Sequence, residues 1–122
     1  MKTKQQKPKS SESEEQIAVV DYCDSFNIPI YHITNEGKRS KYTGGLLNRM
    51  GLRKGFPDLC VPVPKGRFHG FYIEMKVDNN KPTKDQLKWL GVLKMNGYAT
   101  AICYSADDAI RLIENYMKLG KE

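Results

Sequence analysis

The chain is poor in the side chains that staple a fold or hold a soft metal. Its 122 residues include two histidines, three cysteines and one tryptophan. The cysteines, Cys23, Cys60 and Cys103, are odd in number, lie far apart and form no C-x-x-C. That argues against a disulfide framework or a zinc finger, and for reduced thiols packed as small hydrophobes in a cytoplasmic protein. No apolar run approaches the ~18 residues that span a bilayer. The N-terminal MKTKQQKPKSSESEEQ is basic with no hydrophobic stretch behind it, which is not the pattern of a secretory signal. A length of 122 residues is that of one domain, which excludes separate substrate and cofactor lobes.

Acidic residues are the scarcer charge. Lys and Arg number 20 against 14 Asp and Glu, for a net charge of +6, a balance that favours a polyanionic partner. The cations cluster. Lys2, Lys4, Lys7 and Lys9 lie in the first ten residues. Lys38, Arg39, Lys41, Arg49, Arg53 and Lys54 share one segment with a single acid, Glu36. That segment is either a solvated loop or a phosphate-facing surface.

Residues 1–12 read as a disordered basic arm and 13–122 as one domain. Ser11 with Glu14, and Ser13 with Gln16, each satisfy the S-x-x-E/Q capping pattern, and the helix that follows runs to about Asn27 with Ile17, Val19, Val20, Cys23 and Phe26 at helical spacing. IYHIT is a short strand, and TGGLLNRMG a short helix or turn. DLCVPV is a strand whose Pro62 suggests an edge or a bulge. PKGR is a turn, and FHGFYIEMKV the longest strand. Thr83 and Gln86 form a second capping box, before a helix with Leu87, Leu90, Val92, Leu93 and Met95 on its buried side. YATAICY is a strand suited to burial on both faces, and Ser105 caps a last helix. This order predicts an α/β fold, a mixed four-stranded sheet with helices on its faces.

Glu74 and Lys76 lie two apart on one strand and share a face. A hairpin at PKGR brings Asp58 to the same end as Glu74. Two carboxylates and an ammonium then converge. Carboxylates held close need a cation between them, and oxygen ligands suit Mg²⁺ or Mn²⁺. Such an ion activates water and polarises a phosphoryl oxygen, while a lysine orients the water or stabilises developing charge. The competing reading is a surface salt bridge between Glu74 and Lys76.

YHITNEGKRSKYTGG, GLRKGFPDL, FYIEMKV and TKDQLKWLGVLKMNGYATAICYSADDAIRLIENY together resemble the VRR-NUC (virus-type replication-repair nuclease) family of the PD-(D/E)xK nuclease superfamily. The resemblance covers roughly residues 13–117. It implies a restriction-endonuclease-like core, with Asp58, Glu74 and the Met75 carbonyl as metal ligands and Lys76 as the catalytic lysine. Gln86 matches a glutamine expected to face the site, and its alternative role is the capping box with Thr83. The family also carries a glutamate in its first helix; Glu14 fits that place best, with Glu15 as the competitor and capping of Ser11 as Glu14's alternative role. His32 and Asn35 fall on the approach to the site, and His32 reads as structural. Lys38, Arg39, Lys41, Arg53 and Lys54 are expected to touch the DNA backbone.

The resemblance further implies a Mg²⁺- or Mn²⁺-dependent DNA endonuclease of a bacterial or phage-infected cell, selective for branched DNA or Holliday junctions. A basic binding module without chemistry and a restriction-type endonuclease are the alternatives. A homodimer would supply the second site that a junction needs. Tyr104, Leu112, Tyr116 and Leu119, or Leu46, Leu47 and Met50, are either its interface or ordinary core.

Overall fold

The computed structural model describes residues 11–34 and 44–120. Ser11 opens the first helix. Its hydroxyl accepts from the Glu14 amide at 3.1 Å, and the Glu14 carboxylate accepts from the Ser11 amide at 3.0 Å. This closed box starts helix α1, Glu12–Ser25. Asn27, at φ 57°, takes the left-handed conformation that ends it. Ser11 and Glu12, assigned to the arm, thus belong to the cap and first turn of this helix; residues 1–10 lie outside the described residues.

Strand β1, Tyr31–His32, is followed by helix α2, Gly44–Arg49, then strands β2, Leu59–Val61, and β3, Phe71–Met75. Helix α3, Lys84–Met95, strand β4, Ala99–Cys103, and helix α4, Ala106–Met117, complete the order. The strands lie β1-β2-β3-β4 across one sheet. The first two pairs are antiparallel and β3–β4 is parallel, with α3 as the crossover. Between β2 and β3 the chain turns where Lys65 and Phe68 exchange amide hydrogen bonds, with Gly66 at φ 58°.

Period-two alternation divides the sheet into two faces. Leu59, Val61, Phe71, Ile73 and Met75 are buried against Val19 and Cys23 of α1 and Ala109, Ile113 and Tyr116 of α4. The opposite face carries Cys60 and Tyr72, opposite each other in the ladder. There Phe56 packs edge-on against Tyr72 and against Trp89 of α3, at 5.5 and 5.4 Å between ring centroids.

Several elements depart from the sequence pattern. β1 is two residues long, not five. β2 is an interior strand that stops at Val61, so Pro62 marks its end rather than an edge. β4 is an edge strand, as β1 is, and its first four residues are only half-buried rather than buried on both faces. On α3 only Leu90 and Leu93 are buried, while Leu87, Val92 and Met95 face outward. Ile17 and Phe26 of the first helical pattern are likewise exposed. Tyr116 belongs to the core and gives no interface.

These placements separate two apolar substitutions that look alike in the sequence. Ile113→Ala, at a fully buried site, should lower unfolding free energy by about 2–5 kcal/mol. Met95→Ala, at a side chain 88% exposed, should change it by less than about 0.5 kcal/mol. Urea unfolding followed by circular dichroism measures both.

Candidate active site

The β2–β3 register pairs Leu59 with Ile73 and Cys60 with Tyr72. One step further out it sets Asp58 opposite Glu74, on the face of Cys60 and Tyr72. Asp58 reaches the end of β3 through its side chain, where Oδ2 accepts from the Met75 amide at 2.8 Å. The same register sets Pro57 opposite Met75, and proline has no N–H to give the ladder. The Lys76 amide donates to Cys103 of β4, so the backbone groups of Met75, one residue back, face the β2 side. The Met75 carbonyl thus lies on the Asp58 side with no ladder donor opposite it.

Glu74 is 3% exposed and is, among the described residues, the one charged side chain that is buried. Its Oε2 accepts from Gln86 Nε2 at 2.8 Å, and its Oε1 has no hydrogen-bond partner. Burial pushes its carboxyl up to about 8. The charge of Asp58 and a hydrogen bond with it add to the rise, as does the charge of Glu12, while Lys76 opposes it. Buried acceptors are seldom left without a donor. Once Glu74 is ionised, its dry oxygen beside a second carboxylate is a place of unbalanced negative potential, and a hard divalent cation is the chemistry that fits it. Among the described residues no three His, Cys, Asp or Glu side chains cluster as a metal site, so this donor set is two carboxylates with a main-chain carbonyl.

Gln86 does both things its sequence position allowed. Its Oε1 accepts from the Thr83 amide at 2.8 Å, and its backbone amide donates to the Thr83 hydroxyl at 3.1 Å. The other end of the same side chain holds Glu74. The amide orientation follows from this network. Lys76 follows β3, on the face of Glu74 by alternation, and its charge pulls down the carboxyls of both Glu74 and Glu12.

The first-helix glutamate beside the site is Glu12. Glu14 is spent in the capping box, and Glu15 Oε1 accepts from the Ala106 amide at the start of α4, at 2.7 Å. Glu12 has its carboxyl raised by partial desolvation first and by Asp58 second, with Lys76 acting against them. A helix turns 100° per residue, so Glu12 and Glu15 share a side while Glu14 points elsewhere. The Ser11–Glu14 box was the signal that removed Glu14 from contention.

Gly55 was also missed as a site residue. It sits at φ 86°, and a Cβ there would lie 2.7 Å from the main chain of Asp85 and 2.8 Å from the Gln86 amide. Only glycine lets the segment before Asp58 press against the start of α3. His32 fits its structural reading: Nδ1 lies 3.0 Å from the Asp58 carbonyl and 3.2 Å from Gln16. Arg53 and Lys54 are exposed beside the site, with Arg53 Nη1 donating to the Asn48 carbonyl and to its Oδ1. Lys38, Arg39, Lys41 and Asn35 lie outside the described residues.

The profile of the VRR-NUC domain matches residues 38–107. A solved VRR-NUC domain protein is 28% identical, superposes with a TM-score of 0.78, and is covered over 93% of each chain. A second solved VRR-NUC domain, 24% identical, has the same fold at a TM-score of 0.60, over 86% of this chain and 96% of that one. No protein of curated function matches the chain.

The state of Glu74 sets a pH dependence. Its folded carboxyl titrates at about 8, above the ordinary 4.5. With divalent cations chelated, the stability Glu74 contributes is present in full below its unfolded value and is lost as pH rises through the folded one. Wild-type stability should therefore fall relative to Glu74→Gln between about pH 4.5 and 8, then run parallel above it. Denaturant midpoints of both proteins in EDTA across this range check the sign.

Proposed function

The chain belongs to the VRR-NUC domain family, a family of nuclease domains, and from that premise we propose that it is a metal-dependent endonuclease that hydrolyses phosphodiester bonds in DNA. The observation that carries the reading is the unpaired, buried Oε1 of Glu74 beside Asp58, with Lys76 on the same face.

Asp58, Glu74 and the Met75 carbonyl would hold Mg²⁺ or Mn²⁺. When bound, such an ion polarises a phosphoryl oxygen and lowers the pKa of water. The chain's own groups do the rest. The Lys76 ammonium orients the attacking water through its N–H groups and offsets negative charge as it develops on the phosphate. Gln86 holds Glu74 by one oxygen and leaves the other, Oε1, for a ligand. Glu12, outside that donor set, adds negative charge within electrostatic reach of Asp58, which strengthens the pull on a cation. Asp58 is anchored on the Met75 amide, so its carboxylate is set before substrate arrives. Arg53 and Lys54 supply charge for backbone phosphates.

The substrate we propose is branched DNA, cut during replication, repair or recombination. Cutting both strands of a two-fold junction needs two sites, and a homodimer supplies them most simply. The exposed apolar side chains of α3, Leu87, Val92 and Met95, offer surface for a second copy.

Asp58→Asn, Glu74→Gln and Lys76→Ala should each slow cleavage of a labelled four-way junction by at least about 10²-fold. Binding should survive in all three and tighten where a negative charge is lost. Excess EDTA should abolish cleavage, and Ca²⁺ should support binding with little turnover. Full cleavage by Glu74→Gln would remove the proposed site. For the phosphate contacts, Arg53→Ala should lower the slope of log affinity against log salt by about 0.9.

A further inference from the structure

An open pocket of about 510 Å³ lies beside the carboxylates, within the roughly 300–1,000 Å³ of small-molecule sites. Ile33, Leu47, Met50, Leu52 and Phe56 give it apolar walls, and Arg53 stands among them. It is tied to the site by the chain itself. The Ile33 amide donates to the Asp58 carbonyl at 2.8 Å. Phe56 precedes Asp58 by two residues, which span at most about 7 Å. Phe56 is also a firm wall, because Tyr72 and Trp89 grip its ring from the other side.

We propose that this pocket receives one unpaired nucleobase next to the scissile phosphate, stacked among Phe56, Met50 and Leu47 with Arg53 against its phosphate or its face.

The proposal rests on the nuclease reading and narrows its substrate to DNA with an unpaired nucleotide at the cut. An apolar slot with a guanidinium in its wall matches a nucleotide, which has a π-face and an adjacent phosphate. Two hydrogen bonds to Asn48 fix that guanidinium in place. A second copy of this chain is a poorer occupant. The described stretch that lines most of the pocket, residues 44–56, carries Arg49, Arg53 and Lys54 and no acid, and a two-fold contact would set like charges face to face. Walls that are mostly hydrocarbon read no base edge, so the pocket tolerates any base. A paired, stacked base cannot enter it. Unstacking costs least at a flap or a branch point, and that difference is a source of selectivity for branched DNA without sequence recognition.

The test reads binding without turnover. Flap and four-way junction DNAs carry an abasic spacer at each nucleotide in turn around the branch, and affinity is measured in Ca²⁺ by anisotropy. At one position, loss of the base should weaken wild-type binding about ten-fold. In Met50→Ala and in Phe56→Leu that penalty should shrink below about three-fold. Met50 is 66% exposed, so its variant keeps the fold even if the Phe56 variant does not. No base-dependent penalty at any position, or the same penalty in wild type and Met50→Ala, overturns the pocket. A change of Met50→Ala from dimer to monomer by light scattering also overturns it, because the pocket is then a subunit contact. A wild type that shows the penalty yet cuts nothing in Mg²⁺ or Mn²⁺ supports the pocket and defeats the nuclease reading. A wild type that cuts DNA but shows no penalty does the reverse.

Discussion

Glu74 is held out of water beside Asp58, and two carboxylates in so dry a place repel. A chain with no use for a cation would have an easier fold with an apolar residue at position 74, as at Ile73 and Met75 on either side of it. The parallel pairing with β4 and the cover of α3 both bring about the burial, so the fold itself creates the unfavourable potential. Gln86 answers one oxygen of Glu74, and Lys76 offsets part of the charge. The other oxygen is left without a donor. The proposed metal completes this arrangement rather than adding to it.

The local geometry serves that arrangement. Pro57 withholds a ladder donor from Met75, and the Asp58 side chain then takes the Met75 amide in place of a strand neighbour. Gly55 lets the turn before Asp58 lie against the first residues of α3, from which Gln86 reaches Glu74. The run Gly55-Phe56-Pro57-Asp58 is thus four separate requirements: a left-handed residue under a close contact, an aromatic ring packed on Tyr72 and Trp89, a missing N–H and a carboxylate anchored on β3. In the first turn of α1, Glu15 ties the helix to the start of α4, which fixes the end that carries Glu12.

Much of this was legible in the sequence, and the reasons differ by element. Both capping boxes were readable because they are local, and Ser11–Glu14 and Thr83–Gln86 each close within one helical turn. The pairing of Asp58 with the Glu74 strand was readable because one short hairpin dictates it. The first-helix glutamate was not, since three glutamates share one turn and only the position of α4 shows that Glu15 is used elsewhere. Leu87, Val92 and Met95 read as core because a wide apolar stripe does not say how much of it the sheet covers. β4 reads as buried on both faces for a similar reason: a run of small apolar residues does not say how fully the helices cover the strand. The pocket beside the site had no sequence signal, because its walls come from two segments separated along the chain.

The central claim is that Asp58 and Glu74 form one cation site that holds a proton when empty. Calorimetric titration of Mn²⁺ at pH 7, repeated in buffers of different ionisation enthalpy, tests it most directly. Glu74, with its carboxyl at about 8, is mostly protonated at that pH without metal, so binding must displace its proton. The account predicts one ion bound per chain with release of about one proton. It predicts that Glu74→Gln binds far more weakly and releases none. Equal affinity in the two proteins, or binding by wild type with no proton released, would contradict it.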